Sequence, residues 1–214
     1  MRRFAILLLA VAAISAARGF KGKPGRFDYY VLSLSWSPQY CAGDGANKGG
    51  SQIQCAPGKR FGFVAHGLWP QYEQDWPEFC AMGAEPDRIL VDKMLDIMPA
   101  PGLIRHEWRK HGTCDGGTAR QYLDRVRQAY QQVRIPDEYR QPLKHVNIRP
   151  ELLKQKIVQA NSPAPASSFA VLCDGRFLDE VRVCLDKNLR FRACGRDVRD
   201  TCRGSSEIIM QPVR

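Results

Sequence analysis

The amino-acid sequence predicts an α+β fold: a central, mainly antiparallel sheet flanked by helices, in a single disulfide-stabilised domain. Strand-like segments gather at the two ends of the chain with helical periodicity between them, which favours α+β over an alternating parallel sheet. A length of 214 residues allows one sizeable core. The eight cysteines, from Cys41 to Cys202, are even in number, and in an exported chain such a count implies four disulfides.

Export is itself an expectation from the N-terminus. Met1-Arg2-Arg3 leads into the apolar stretch Phe4–Ile14 and the small residues Ser15, Ala16 and Ala17. This pattern predicts a signal peptide over residues 1–17 and a single mature domain over 18–214, secreted or periplasmic. A membrane-spanning helix needs about 20 apolar residues, so no membrane anchor is expected. Losing Arg2 and Arg3 lowers the formal charge from +10 to +8. A basic exported protein selects an anionic partner, with nucleic acid and an anionic membrane surface as the candidates. Charge alone does not choose between them.

In chain order, Phe27–Trp36 is rich in aromatic and branched residues and predicts a strand. Ser37-Pro38 is expected to stop it, and Cys41–Gly58 reads as a loop that a Cys41–Cys55 bridge would close. Phe61–His66 predicts a second strand, broken by Gly67 and Pro70. Residues 76–84 read as loop, and Asp87–Met98 carries apolar residues at helical spacing up to Pro99. A short helix over the His106 region is expected to stop at Gly112. Thr118 then caps an amphipathic helix, and Pro150 starts another that runs to about Ala160. After a Pro/Ala/Ser connector over 162–168, strands are predicted at 169–173, 177–185 and 189–194, the last two as a hairpin around Asp186-Lys187-Asn188.

The chemistry concentrates in His106-Glu107-Trp108-Arg109-Lys110-His111-Gly112-Thr113-Cys114, which holds two of the four histidines. At about 100° per residue, His106, Glu107, Lys110 and His111 fall within one arc of roughly 140°, and Trp108 points away toward a core. The spacing excludes a zinc-protease helix, which needs histidines four apart, since Lys110 stands at that place. No Cys-x-x-Cys, nucleophile elbow, phosphate loop or dinucleotide fingerprint occurs. Acid/base chemistry by histidines remains. RNA supplies its own nucleophile in the 2′-hydroxyl, so a base, an acid and cations around the phosphorus suffice. His66 supplies a second proton-transfer group, and Trp69 offers a flat face on which a base would stack for about 1–3 kcal/mol.

Phe63-Val64-Ala65-His66-Gly67-Leu68-Trp69-Pro70 and the His106–Cys114 segment resemble the two active-site segments of the ribonuclease T2 family, in family order. Phe27–Cys41 is also similar to the family's first strand. The resemblance implies a monomeric endoribonuclease that needs no metal or cofactor and acts on single-stranded RNA. It cleaves by transphosphorylation to 2′,3′-cyclic phosphate ends, which are then hydrolysed to 3′-phosphates. It implies His111 as general base and His66 as general acid in the first step, with the roles exchanged in the second, an assignment that spacing alone leaves open. His106 would hold the phosphate, while Glu107 and Lys110 would stabilise the pentacovalent phosphorus. It further implies a Cys80–Cys114 bridge, beside which Cys41–Cys55, Cys173–Cys202 and Cys184–Cys194 are expected.

Departures from the family pattern bear on specificity. Gln71 stands where some members place an acid that reads a base, and Leu103-Ile104 where many carry aromatics. Broad base specificity is the expectation, with weaker stacking at the second base. The competing reading is a catalytically silent basic RNA-binding or toxin-like protein on the same scaffold, against which the pair His66 and His111 argues.

Overall fold

The computed structural model describes residues 21–43, 52–202 and 207–213; the signal-peptide expectation lies outside the described residues. The elements in chain order are β1 (Tyr29–Trp36), α1 (Ser37–Ala42), α2 (Gln52–Cys55), β2 (Phe63–Gln71), α3 (Arg88–Asp92) and α4 (Pro101–Glu107). A π-helical turn (Trp108–Gly112), α5 (Thr113–Asp115), α6 (Ala119–Gln132), α7 (Asp137–Arg140) and β3 (Val146–Ile148) follow. The chain closes with α8 (Pro150–Ala160), β4 (Phe169–Asp174), β5 (Phe177–Leu185) and β6 (Ile208–Met210).

Period-two alternation in β1 divides the sheet into two faces. Tyr30, Leu32, Leu34 and Trp36 enter the main core beneath the helices, against Leu123, Val126, Leu153 and Ile157. Tyr29 and Val31 point to the other face, where a small cluster forms with Cys184, Trp69 and Val198. β1 lies between β2 and β5, antiparallel to both. β4 pairs antiparallel with β5, and the β3–β6 pair joins β5 through one parallel contact, Phe177 with Ile209. The sheet is therefore mainly antiparallel, as the sequence predicts.

Two helices follow their sequence signals closely. Thr118 forms a capping box with Gln121 at the start of α6, and Pro150 opens α8, where its missing N–H costs nothing. Elsewhere tertiary context overrides local signals. Gly67 and Pro70 do not break the second strand, because among the described residues β2 is an edge strand that pairs with β1 alone; an edge tolerates proline. Ser37-Pro38 does end β1 but also starts α1, and the expected Cys41–Gly58 loop includes the end of α1 and the short helix α2. The expected Asp87–Met98 helix is α-helical only to Asp92, since its far end is turned to the β2 edge, where Ala65 N donates to Ile97 O at 2.8 Å. Residues 189–194 do not complete a hairpin: beyond one bridge between Leu185 and Phe191, Cys194 is held by a disulfide to Cys184 and donates to Ser167 O. β3 and β6, of three residues each, are too short to show periodicity.

The disulfides join Cys41 to Cys55, Cys80 to Cys114, Cys173 to Cys202 and Cys184 to Cys194. A buried network reinforces the second of these. Asp115, next to Cys114, accepts a hydrogen bond from the Tyr30 hydroxyl of β1 and a two-pronged one from Arg125 of α6, at 2.9 and 2.8 Å. Asp115→Ala leaves the Tyr30 hydroxyl unpaired in the core and Arg125 without its partner. We expect a loss of about 2–3 kcal/mol in urea unfolding; a loss below about 0.5 kcal/mol would show that the network does not anchor this segment.

Candidate active site

The register between β1 and β2 shifts between Ser33 and Leu34: Ser33 faces Gly67, whereas Leu34 faces Ala65. His66 is the extra residue of this bulge, and a bulge re-aims a side chain from the regular alternation. Its imidazole lies on the sheet face away from the main core, in a cavity of about 290 Å³. Trp69, Gln71, His106, Glu107, Lys110 and His111 line the same cavity. The sequence-predicted site residues are thus brought together in one cleft.

The π-helical turn explains how the second segment presents its groups. It continues α4 past Glu107 instead of ending at Gly112 as the sequence suggests, and passes directly into α5. Gly112 lies inside because a Cβ there would meet Trp108 at 2.4 Å and Tyr122 at 2.7 Å. Trp108 enters the core, His106 stays exposed, and Glu107 and His111 are buried against the sheet. The Cys80–Cys114 bridge and the Phe79 N to Lys110 O hydrogen bond, 2.7 Å, tie the segment to the loop after β2.

Glu107 is 2 % exposed. Its Oε2 accepts from the Trp69 indole N–H at 2.7 Å, and its Oε1 is 3.9 Å from His66 Nε2. Burial pushes its carboxyl up to about 6, against the pull of His66, the indole hydrogen bond and Lys110. The Trp69 ring packs against His66 edge-on at 5.3 Å and against His111 at 5.4 Å with a 31° tilt, so the indole stands beside both imidazoles. Arg182 lies 5.2 Å over the same ring.

His66, half-exposed, and His111, buried, differ sharply in proton affinity. Burial opposes a charge on His66, but the hydrogen bond and charge of Glu180 and the charge of Glu107 outweigh it, so its pKa is raised. Burial drives His111 down to about 3, helped by the nearby Lys110, His106 and His66. Its Nδ1 has no hydrogen-bond partner among the described residues. His106 is lowered by burial, Lys110 and Arg109. The Lys110 ammonium lies 3.6 Å from Glu78.

Other lining residues carry no signal in either motif. Arg182 comes from β5, and behind the lining Glu180 of the same strand places its Oε1 2.7 Å from His66 Nδ1. Trp76 stands in the stretch read as loop, and Asp197 and Val198 follow the last predicted strand. Gln71 is buried and its amide donates to Pro70 O at 3.1 Å. Ile104 is fully buried in the core, and neither it nor Leu103 lines the cleft. A larger cavity of about 560 Å³ between β2 and the end of α6 contains no histidine. Among the described residues, no three His, Cys, Asp or Glu side chains converge in a metal-binding arrangement, and no helix is long and apolar enough to cross a membrane.

Fold and cleft define a disulfide-braced α+β protein whose three histidines, buried carboxylate and two cations are fitted to proton transfer beside an anionic group. Over residues 27–194 the chain matches the Ribonuclease T2 family, to which it belongs. It is 41 % identical over 118 residues to a ribonuclease of Aeromonas hydrophila, covering 54 % of this chain and 52 % of that one. To a probable ribonuclease of Haemophilus influenzae it is 37 % identical over 123 residues, covering 52 % and 45 %. The chain thus spans about half the length of these curated relatives. The RNase-related protein from Calystegia sepium superposes with a TM-score of 0.67 at 21 % identity, over 87 % of this chain and 97 % of that one. RNase NT in complex with 5′-AMP does so with 0.60 at 23 %, over 87 % and 98 %. These two similarities show the fold.

The join between the two segments rests on Gly67, where a Cβ would lie 2.1 Å from Glu107 Oε2 and 2.5 Å from Trp69 Nε1. Gly67→Ala must displace the carboxylate and break the indole hydrogen bond. We expect a loss of about 2–4 kcal/mol in urea unfolding and a changed Trp69 emission at a permissive temperature. Unchanged stability and emission would show that the Glu107 contact is not tight.

Proposed function

We propose that the protein is an endoribonuclease that cleaves single-stranded RNA without metal or cofactor, acting as a secreted or periplasmic monomer. The observation that carries the reading is the opposed proton affinity of His66 and His111 beside one indole, since groups pushed apart in pKa mark the acid and base of a site. Near neutral pH His111 is uncharged and able to take the 2′-hydroxyl proton. His66, whose hold on its proton Glu180 and Glu107 strengthen, gives a proton to the departing 5′-oxygen. The bond from the 2′-oxygen to phosphorus forms as the bond to the 5′-oxygen breaks, leaving a 2′,3′-cyclic phosphate. In the slower second step the roles reverse: His66 activates water and His111 returns the proton, giving a 3′-phosphate.

Lys110 supplies a cationic contact for the phosphate and His106 a ring N–H that donates to it, while Glu107 holds the Trp69 indole by a hydrogen bond and its charge lies 3.9 Å from His66. An arriving phosphate raises the affinity of His111 for a proton, through its negative charge, and so brings the base closer to its working range. Gln71 both donates and accepts hydrogen bonds through its carboxamide, and Trp69 and Trp76 offer ring surface; this combination supports broad base specificity over strict reading of one base. Export is supported by the four disulfides, which persist in oxidising compartments.

Incubating single-stranded RNA and DNA with the protein in excess chelator is expected to give RNA products ending in 2′,3′-cyclic phosphate and no DNA cleavage. Chelator-sensitive cleavage or cut DNA would overturn the reading. RNA binding without cleavage would favour a silent binding protein. His66→Ala and His111→Ala should each lower the rate by roughly 10² to 10⁴, and near-normal turnover in either would move the site elsewhere.

The pH dependence follows from the same shifts. The reaction needs His111 neutral and His66 charged. kcat/KM of the wild type therefore rises with pH as His111 loses its proton near pH 3, rises again as Glu107 ionises at about 6, and falls as pH passes the raised value of His66. An alkaline limb below the ordinary histidine value of about 6.5 would contradict the assignment of His66 as the acid.

A further inference from the structure

Glu180 belongs to neither histidine segment, and it meets His66 from 114 positions further along the chain. Sheet register explains the meeting. β1 is flanked by β2 on one side and β5 on the other, and Ser35 of β1 faces Val64 on β2 and Glu180 on β5. The Glu180 side chain therefore projects on the cleft side, and the bulge swings His66 across toward it. Glu180 Oε1 lies 2.7 Å from His66 Nδ1. The carboxylate is 6 % exposed and braced on both oxygens. Ser35 Oγ donates to Oε1 at 3.2 Å, and Arg182 Nε donates to Oε2 at 3.1 Å.

We propose that Glu180 is the positioning residue of the acid/base pair, fixing the His66 ring through Nδ1 so that the transferable proton sits on Nε2, on the side facing Glu107. The inference rests on the ribonuclease reading above. In the first step charged His66 carries protons on both nitrogens. The Nε2 proton passes to the 5′-oxygen, the Nδ1 proton stays in the bond to Glu180, and Nε2 is left with a free lone pair. That neutral tautomer is the one the second step requires, because it takes a proton from water at Nε2. Without an acceptor at Nδ1 the neutral ring is free to hold its single proton on Nε2, which blocks that step.

Several charged groups besides Glu180 act on His66. Arg182 and Asp179 come from β5, and His106 and Glu107 from α4. His111 comes from the π-helical turn. Of these acids, Glu180 alone is within hydrogen-bond distance of the ring: Glu107 is 3.9 Å from Nε2. Removing the Glu180 charge while keeping its shape therefore tests the assignment.

The experiment compares the wild type with Glu180→Gln by imidazole ¹H–¹⁵N NMR through a pH titration and by kcat/KM on RNA across the same range. The wild type is expected to show neutral His66 with its proton on Nδ1. In Glu180→Gln the midpoint should fall by about one pH unit or more, the proton should move to Nε2, and the alkaline limb of kcat/KM should shift by the same amount. Glu180→Asp should return part of both shifts. Ser35→Ala, which removes a competing donor on Oε1, should move the midpoint upward; it serves as the independent variant if Glu180→Gln does not fold. A wild-type tautomer and an unmoved alkaline limb in Glu180→Gln would overturn the proposal. So would an unmoved midpoint in Ser35→Ala. A shifted tautomer in a protein that never cleaves RNA would instead overturn the ribonuclease reading and leave the Glu180–His66 assignment standing.

Discussion

The cleft depends on one contact, the Glu107 carboxylate resting over the bare Cα of Gly67 and accepting the Trp69 indole hydrogen bond at 2.7 Å. A carboxylate this buried is costly unless a donor meets it, and only a residue without a Cβ lets the helix approach the strand closely enough. The contact fixes α4 on β2, and the remaining geometry follows. With the helix seated, the π-helical turn delivers His111 to the ring of Trp69, while the bulge delivers His66 to its edge. The indole thus does structural work for both halves at once: its N–H satisfies Glu107 and its body occupies the space beside the two imidazoles.

Burial acts on both histidines in the same direction, lowering the affinity for a proton. The difference between them therefore comes from what each meets inside the cleft. His66 meets carboxylates, Glu180 in contact and Glu107 beyond it, and these overcome the burial. His111 meets cations, chiefly Lys110, and these add to it. One low-polarity cleft can hold an acid and a base together because Glu180 of β5 and Glu107 of α4 both act on His66, whereas Lys110 acts on His111. The same burial that separates the histidines also raises Glu107 to about 6, so its charge is itself sensitive to whether His66 is protonated. The two form a coupled pair.

The sequence made legible those parts of the molecule where local chemistry and tertiary structure agree. The α6 capping box and the Pro150 start of α8 are local hydrogen-bond and dihedral effects, and both appear where the residues place them. The alternation in β1 is legible for the same reason. The ends of β2 and of the Asp87 helix are not, because they depend on an edge position and on the Ala65–Ile97 hydrogen bond, which only the folded chain contains. In the cleft, the two histidine segments could be read because each concentrates chemistry in a few adjacent residues. Glu180 and Arg182 could not: in isolation Phe177–Leu185 is a strand carrying Asp179, Glu180 and Arg182, and a charged residue on a strand ordinarily means a solvated face. Their meaning appears only when the register sets Ser35 opposite Glu180. The bulge at His66 was also hidden, since nothing in Ala65-His66-Gly67 separates a bulged residue from a paired one.

The positions of two disulfides follow from how the site is divided. Its proton-handling groups come from β2, from the α4 and π-helical segment, and from β5, and positioning for such chemistry has to hold within about 0.5 Å. Hydrophobic packing seats the core face of the sheet, but the cleft lies on the opposite face, where the apolar cluster is small: Tyr29, Val31 and Cys184 with Trp69, Cys194 and Val198 around them. Covalent bracing substitutes for core on that side. Cys80–Cys114 spans 34 residues and closes the helical wall onto the loop after β2. Cys184–Cys194 spans 10 and leads from the β5 wall to the segment bearing Asp197 and Val198. Each closure contributes on the order of 2–4 kcal/mol by restricting the unfolded chain, and in the folded chain each holds one wall of the cleft where few apolar contacts do so.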